Sequence, residues 1–101
     1  MLIVIPVDRE GAVGAKVMPL LSVGTWALVD FDEGKIQSLT FHKERPVSGE
    51  TWIDFIVLAN KFENYMPFME EGMMVLCVRE EETLEEIMEA FKFKELDEVG
   101  F

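Results

Sequence analysis

Histidine and cysteine are almost missing from this chain: His42 and Cys77 are the single representatives of each. A disulfide within the chain is therefore excluded. Two lone donors far apart in sequence also fall short of zinc and iron–sulfur motifs, which recruit several cysteines or histidines at tight spacing. Basic residues are scarce too. Nine Lys and Arg stand against twenty Asp and Glu, for a net charge of −11 and an isoelectric point of about 4.4. Nucleic acids and anionic membranes are bound through clustered Lys and Arg. The one short basic cluster, His42-Lys43-Glu44-Arg45, is interrupted by an acid, so neither partner is expected. No apolar run approaches the roughly 20 residues of a membrane-spanning helix. The apolar opening Met1–Pro6 lacks a basic flank and turns polar at Asp8, which reads as a strand and not a signal peptide. A lone cysteine fits a reducing compartment, and the chain is expected in the cytoplasm. Phosphate-binding glycine loops and Ser-His-Asp arrangements are also missing.

What is present is apolar and β-rich. Half of the 101 residues are hydrophobic, enough for one domain, 1–101, with a core of its own. Leu2–Val7 is an uninterrupted apolar run and predicts a strand buried on both faces. Ala12–Ser22 reads as a loop with at most a short helical turn. Thr25–Phe31 and Ile36–His42 predict a hairpin closed by Asp32-Glu33-Gly34-Lys35, with glycine supplying a positive φ. Arg45–Glu50 reads as a surface loop. Thr51–Ala59 predicts a fourth strand, with Asn60 capping a helix over Lys61–Glu71 and Glu63 completing a capping-box pattern. Pro67 inside that helix predicts a kink or a late start, and Gly72 is placed just past its end. Met73–Val78 is the fifth strand. Thr83 caps a last helix that docks through Leu84, Ile87, Met88 and Phe91, and Leu96, Val99 and Phe101 predict a tail that packs. Strands joined through a helix pair in parallel. The expected fold is therefore α/β: an antiparallel meander running into a parallel βαβα unit, a mixed five-stranded sheet of RNase H-like character with helices on its faces.

With these elements in place the chain resembles the dinitrogenase iron–molybdenum cofactor biosynthesis family, the NifX/NafY-type domain. The opening M-L-I-V-I-P-V-D is similar to that family's first strand. T-W-A-L-V-D-F-D-E-G-K-I is similar to its second strand and turn. The segment from I-D-F-I-V-L-A through E-E-G-M-M-V-L-C-V to T-L-E-E-I-M-E-A-F is similar to its closing strand, helix, strand and helix. The resemblance implies a small non-catalytic accessory protein that holds an iron–sulfur or iron–molybdenum cofactor precursor. The usual ligand motifs are degraded here. Where the family carries a histidine followed by Phe-Gly-Arg, this chain has Pro19-Leu20-Leu21-Ser22, and Asn60-Lys61-Phe62-Glu63-Asn64 replaces a glycine-rich turn. The alternative is a protein–protein interaction module that retains the fold without the cofactor, serving a protein partner or a homo-oligomer.

The cofactor-binding candidates are His42 at the end of the third strand, Asn60 after the fourth, and Cys77 within the fifth. Against them stand a solvated strand-end histidine, a helix cap, and a small buried apolar side chain. No metal site and no catalytic set is assigned. Met66, Met69, Met73 and Met74 are soft donors, but Met66 and Met69 lie at core-facing helical spacing and Met73 and Met74 begin a buried strand; two or three of them exposed would instead suit an adaptable partner-binding surface. Trp26 and Trp52 are expected in the core. Asp8, Asp30 and Asp54 are the carboxylates from which a two-metal nuclease could be built on such a sheet. A parallel arrangement would put Asp8 and Asp54 at opposite ends. The acid-rich block Glu80, Glu81, Glu82, Glu85, Glu86 and Glu89 reads as a solvated face, or as a docking surface for a basic partner.

Overall fold

The computed structural model describes residues 1–11, 13–49 and 51–100. Strand β1 (Leu2–Val7) is buried on both faces. It lies at the centre of the sheet, antiparallel to β2 (Thr25–Asp32) and parallel to β4 (Phe55–Leu58). The register sets Ile3 beside Phe55 and Val4 beside Ile56. Strand β3 (Lys35–His42) pairs with β2, and β5 (Met74–Cys77) runs parallel to β4. The order β3-β2-β1-β4-β5-β6 makes a mixed six-stranded sheet.

The sixth strand corrects the expected five. Asp97–Glu98 forms a short β6 antiparallel to β5, opposite Leu76 and Cys77. The tail packs as Leu96 and Val99 demand, since both are buried; Phe101 lies outside the described residues.

Each face is covered by one helix, and strand alternation sorts the core between them. Ile3, Ile5, Val7, Val57 and Leu76 point toward α2 (Leu84–Lys92) and meet its Leu84, Ile87 and Met88. Val4, Ile56, Leu58, Val75 and Cys77 point the other way, toward Phe68 of α1 (Met66–Glu70). The α2 start follows its sequence. The Thr83 hydroxyl accepts from Glu86 N–H and the Glu86 carboxylate accepts from Thr83 N–H, a complete capping box. Its end is a Schellman turn, in which Glu95 N–H donates to Ala90 O and Lys94 N–H to Phe91 O. Lys94 takes the left-handed position, φ 58, where glycine is usual.

Several elements differ from expectation. Helix α1 is much shorter than Lys61–Glu71. Pro67 cannot donate to a preceding turn, so the helix begins late, with the proline in its first turn. Asn60 consequently caps an isolated turn: its Oδ1 accepts from Phe62 N–H at 3.0 Å, and its own N–H donates to Glu63 at 3.2 Å. Gly72 ends α1 at φ 86 with its backbone against the Trp52 ring, where a Cβ would lie 2.3 Å from the nearest ring carbon. Strand β4 starts only at Phe55. Asp54 ties three strands together before it: its carboxylate accepts from Leu2 N–H, its N–H donates to Leu2 O, and its carbonyl accepts from Met74 N–H. Trp26 packs on the α1-side core, whereas Trp52 is 57% exposed. Met66 and Met74 are exposed as well, the first on the outer face of a short helix and the second at the start of β5. The 12–22 segment holds one 3₁₀ turn, Leu20–Ser22, and two isolated bridges, Val7 to Val17 and Lys16 to Thr83; Ala12 is outside the described residues, as is Glu50 of the 45–50 loop. Among the described residues no helix is long and apolar enough to cross a membrane.

Candidate functional site

Strands β1, β3, β4 and β5 run in one direction, so their C-terminal ends share an edge of the sheet. In open α/β sheets this is where ligands are held, beside the point where connections diverge. Here that point lies between β1 and β4. The loop after β1 meets the loop after β4 there, and His42, Asn60 and Cys77 all belong to the same edge.

Being on one edge does not bring the three together. Three strand gaps separate β3 from β4, roughly 14 Å at the usual interstrand spacing. His42 is exposed, its ring Nε2 is 2.8 Å from Thr40 Oγ1, and its carbonyl accepts from the buried Thr25 hydroxyl at 2.9 Å. Asn60 spends its side chain on the turn described above. Cys77 is buried, and its thiol donates to Val78 O at 3.2 Å. Burial pushes that thiol up, with the nearby carboxylates of Asp97 and Glu63 acting in the same direction. Cluster ligation needs a thiolate, so the donor chemistry fits poorly. Among the described residues no group of three His, Cys, Asp or Glu is placed to hold a metal ion. The residues present do not fit an iron–sulfur or iron–molybdenum group.

At the strand divergence a carboxylate of the protein itself ties the two loops together. Glu63 accepts from Leu20 N–H on the first loop and from Asn60 N–H on its own. One side chain thereby joins the 3₁₀ turn to the turn after β4. On either side of this link, Leu21 is 102% exposed and Phe62 is 88% exposed. The loop after β1 is itself fixed. Asp8 Oδ1 accepts from Lys16 N–H, Gly24 N–H donates to Val7 O, and a Cβ on Gly24 would fall 2.3 Å from Asp8 O. Arg9, hydrogen-bonded to the other Asp8 oxygen, and the Lys16 amide hold the Asp8 carboxyl below its usual range.

The three aspartates do not converge. Asp30 is registered opposite Leu2 and pairs with the Met1 ammonium at 3.7 Å. Asp54 adjoins the same end, while Asp8 follows the opposite end of β1. Asp8 is thus about 20 Å of strand from the other two, and each carboxylate has a structural partner.

The N-x-x-E pattern at Asn60 predicts a helix cap and makes its local hydrogen bonds around a turn instead; it gives no sign of the bond to Leu20. That contact joins residues 43 positions apart and leaves no local trace. Leu21 and Phe62 carried no signal either, since an apolar residue in a loop reads as one more core contact.

No family model matches this chain, and no curated protein matches it. Solved structures do. A protein of Methanocaldococcus jannaschii, provisionally assigned as a dinitrogenase, superposes with a TM-score of 0.71 at 16% identity, over 99% of this chain and 95% of that one. A protein designated PH0822 gives 0.73 at 13% identity, over 97% and 96%. A Thermotoga protein, provisionally assigned as NifB and placed in the DUF35 family, gives 0.67 at 17% identity, over 99% and 95%. At such identities the likeness establishes the fold.

Proposed function

We propose that this chain is a small non-catalytic accessory protein, one domain of RNase H-like fold, that works by docking a protein partner on the C-terminal edge of its sheet. The carrying observation is the Leu20–Glu63 link with Leu21 and Phe62 exposed beside it. Two large apolar side chains on loops fixed from beneath make a preformed contact patch, and such patches on a soluble surface mark interaction sites. Glu80 and Glu82, exposed after β5 on the same edge, favour a partner whose facing surface is apolar and basic.

The RNase H-like reading draws on the strand order β3-β2-β1-β4-β5, a meander feeding a parallel pair. The non-catalytic reading draws on the separation of Asp8 from Asp30 and Asp54. The likeness to proteins with dinitrogenase and NifB assignments supports a role near metal-cofactor assembly. Carriage of a cofactor precursor by His42, Asn60 and Cys77 is the second reading, favoured only by their shared edge.

A photo-crosslinking residue at Leu21 or Phe62, in the chain's native cells, tests the proposal. One discrete adduct from both positions is expected, and none from Val47, which is 60% exposed elsewhere. Identical labelling at all three positions would refute the patch. An adduct of twice the chain mass would identify the partner as a second copy.

A further inference from the structure

At the opposite edge of the sheet a cavity of about 430 Å³ opens between the sheet and the end of α2, within the usual size of small-molecule sites. Its walls are apolar. The Phe91 ring stands edge-on to Phe31 at 5.4 Å and to Phe55 at 5.0 Å, and Leu76 completes the lining. Lys92 and Lys94 also line it. Among the described residues neither lysine has a carboxylate within ion-pair distance. Glu98 is the acid that lines the cavity, and Asp30 nearby is engaged by the Met1 ammonium. Two lysines at one apolar cavity without a carboxylate partner among the described residues are unexpected in a chain with nine basic residues and twenty acids; the Lys92 ammonium lies 5.6 Å from the centroid of the exposed Phe93 ring.

Lys94 adds a second observation. It holds the left-handed position of the Schellman turn at φ 58, which glycine fills without strain. Strained backbone retained at the mouth of a cavity motivates a functional reading of that side chain.

We propose that this cavity binds a small amphipathic organic anion, a monocarboxylate with an apolar chain or ring. The apolar part lies against Phe31, Phe55 and Phe91, and the carboxylate faces Lys92 and Lys94. Both the hydrophobic walls and the positive mouth are needed for that class: an apolar alcohol lacks the charge, and an alkylammonium carries the wrong one. The site shares no residue with the docking edge and stands independently of it.

Octanoate, 1-octanol and octylammonium serve as probes, read by amide chemical-shift titration. Octanoate is expected to shift the amides of Phe55, Leu76 and Phe91, and to bind about tenfold tighter than 1-octanol, with each lysine contributing about threefold, the size of one exposed charge pair. Octylammonium is expected to leave those amides unmoved. Lys94→Gly relieves the backbone and so keeps the fold; with Lys92→Gln it is expected to reduce octanoate binding to the level of 1-octanol without weakening 1-octanol. Three results would overturn the proposal: no shift with millimolar octanoate, shifts scattered over the surface, or octanoate binding unchanged in the double variant.

Discussion

The Glu63 carboxylate accepts the backbone N–H of Leu20, on a loop 43 residues earlier in the chain. It joins the loop after β1 to the turn after β4, next to the exposed Leu21 and Phe62. Glu63→Ala leaves a half-buried N–H without an acceptor, which costs about 1–2 kcal/mol. Urea denaturation is expected to record that loss, and hydrogen exchange to quicken at Leu20 and Asn60 while β1 stays protected. Unchanged exchange at Leu20 would mean that the link does not hold the loop.

Acid should loosen the loop before β4. The Glu71 carboxylate accepts from the Arg45 guanidinium and from Ser48 N–H, and Arg45 lies 4.9 Å above the Phe68 ring. The Arg45 hydrogen bond holds the Glu71 carboxyl below its ordinary value of 4.5, against the opposing effect of burial. The folded state therefore binds this proton less readily than the unfolded chain. The associated stability is present above about pH 4.5 and is lost as pH falls toward the folded value. Both side chains are about a quarter exposed (26% and 24%), so Glu71→Gln should cost about 1 kcal/mol at pH 7. The acid limb of the stability–pH curve should flatten in the variant; an unaltered limb would reject the assignment.

Lys94→Gly should stabilise the protein. Removing a side chain from a left-handed position gains about 1 kcal/mol, partly offset by the larger entropy of glycine in the unfolded chain. A rise of a few degrees in melting temperature is the expected outcome. A fall would show that the Lys94 side chain contributes more by packing than its backbone costs.

Cys77 should be slow to alkylate. Its thiol is buried and its ionisation is pushed up, so iodoacetamide at pH 7.5 is expected to modify it only as the protein unfolds. Cys77→Ala should destabilise by about 1 kcal/mol, the loss of one small buried group. Rapid labelling of the native protein would restore Cys77 as a candidate ligand.

Much of the fold was readable because it rests on local chemistry. The two-sided burial of β1, the alternation in β3, the turn at Gly34 and the Thr83–Glu86 capping box each follow from a few adjacent residues, and the parallel β4–β5 pair follows from the helix between those two strands. What could not be read depends on distant contacts or on weak patterns. Strand β6 is two residues long, and only its pairing with β5 defines it. Pro67 signalled a disturbed helix, but how little helix would remain depended on the turn that Asn60 and Glu63 make instead. At the site, the strand to which each of His42, Asn60 and Cys77 belongs was legible, while their common edge and their separation were not, because strand direction and order decide both. The Lys92–Lys94 cavity left no mark, since a lysine in a glycine position looks like any surface lysine.

Whether the His42, Asn60 and Cys77 edge carries a metal cofactor is tested most directly by the iron and molybdenum content of protein made and purified without air in cells supplied with both metals. Background levels of both are expected, unchanged in Cys77→Ala and His42→Ala. Stoichiometric iron that survives gel filtration and is lost in either variant would contradict that expectation.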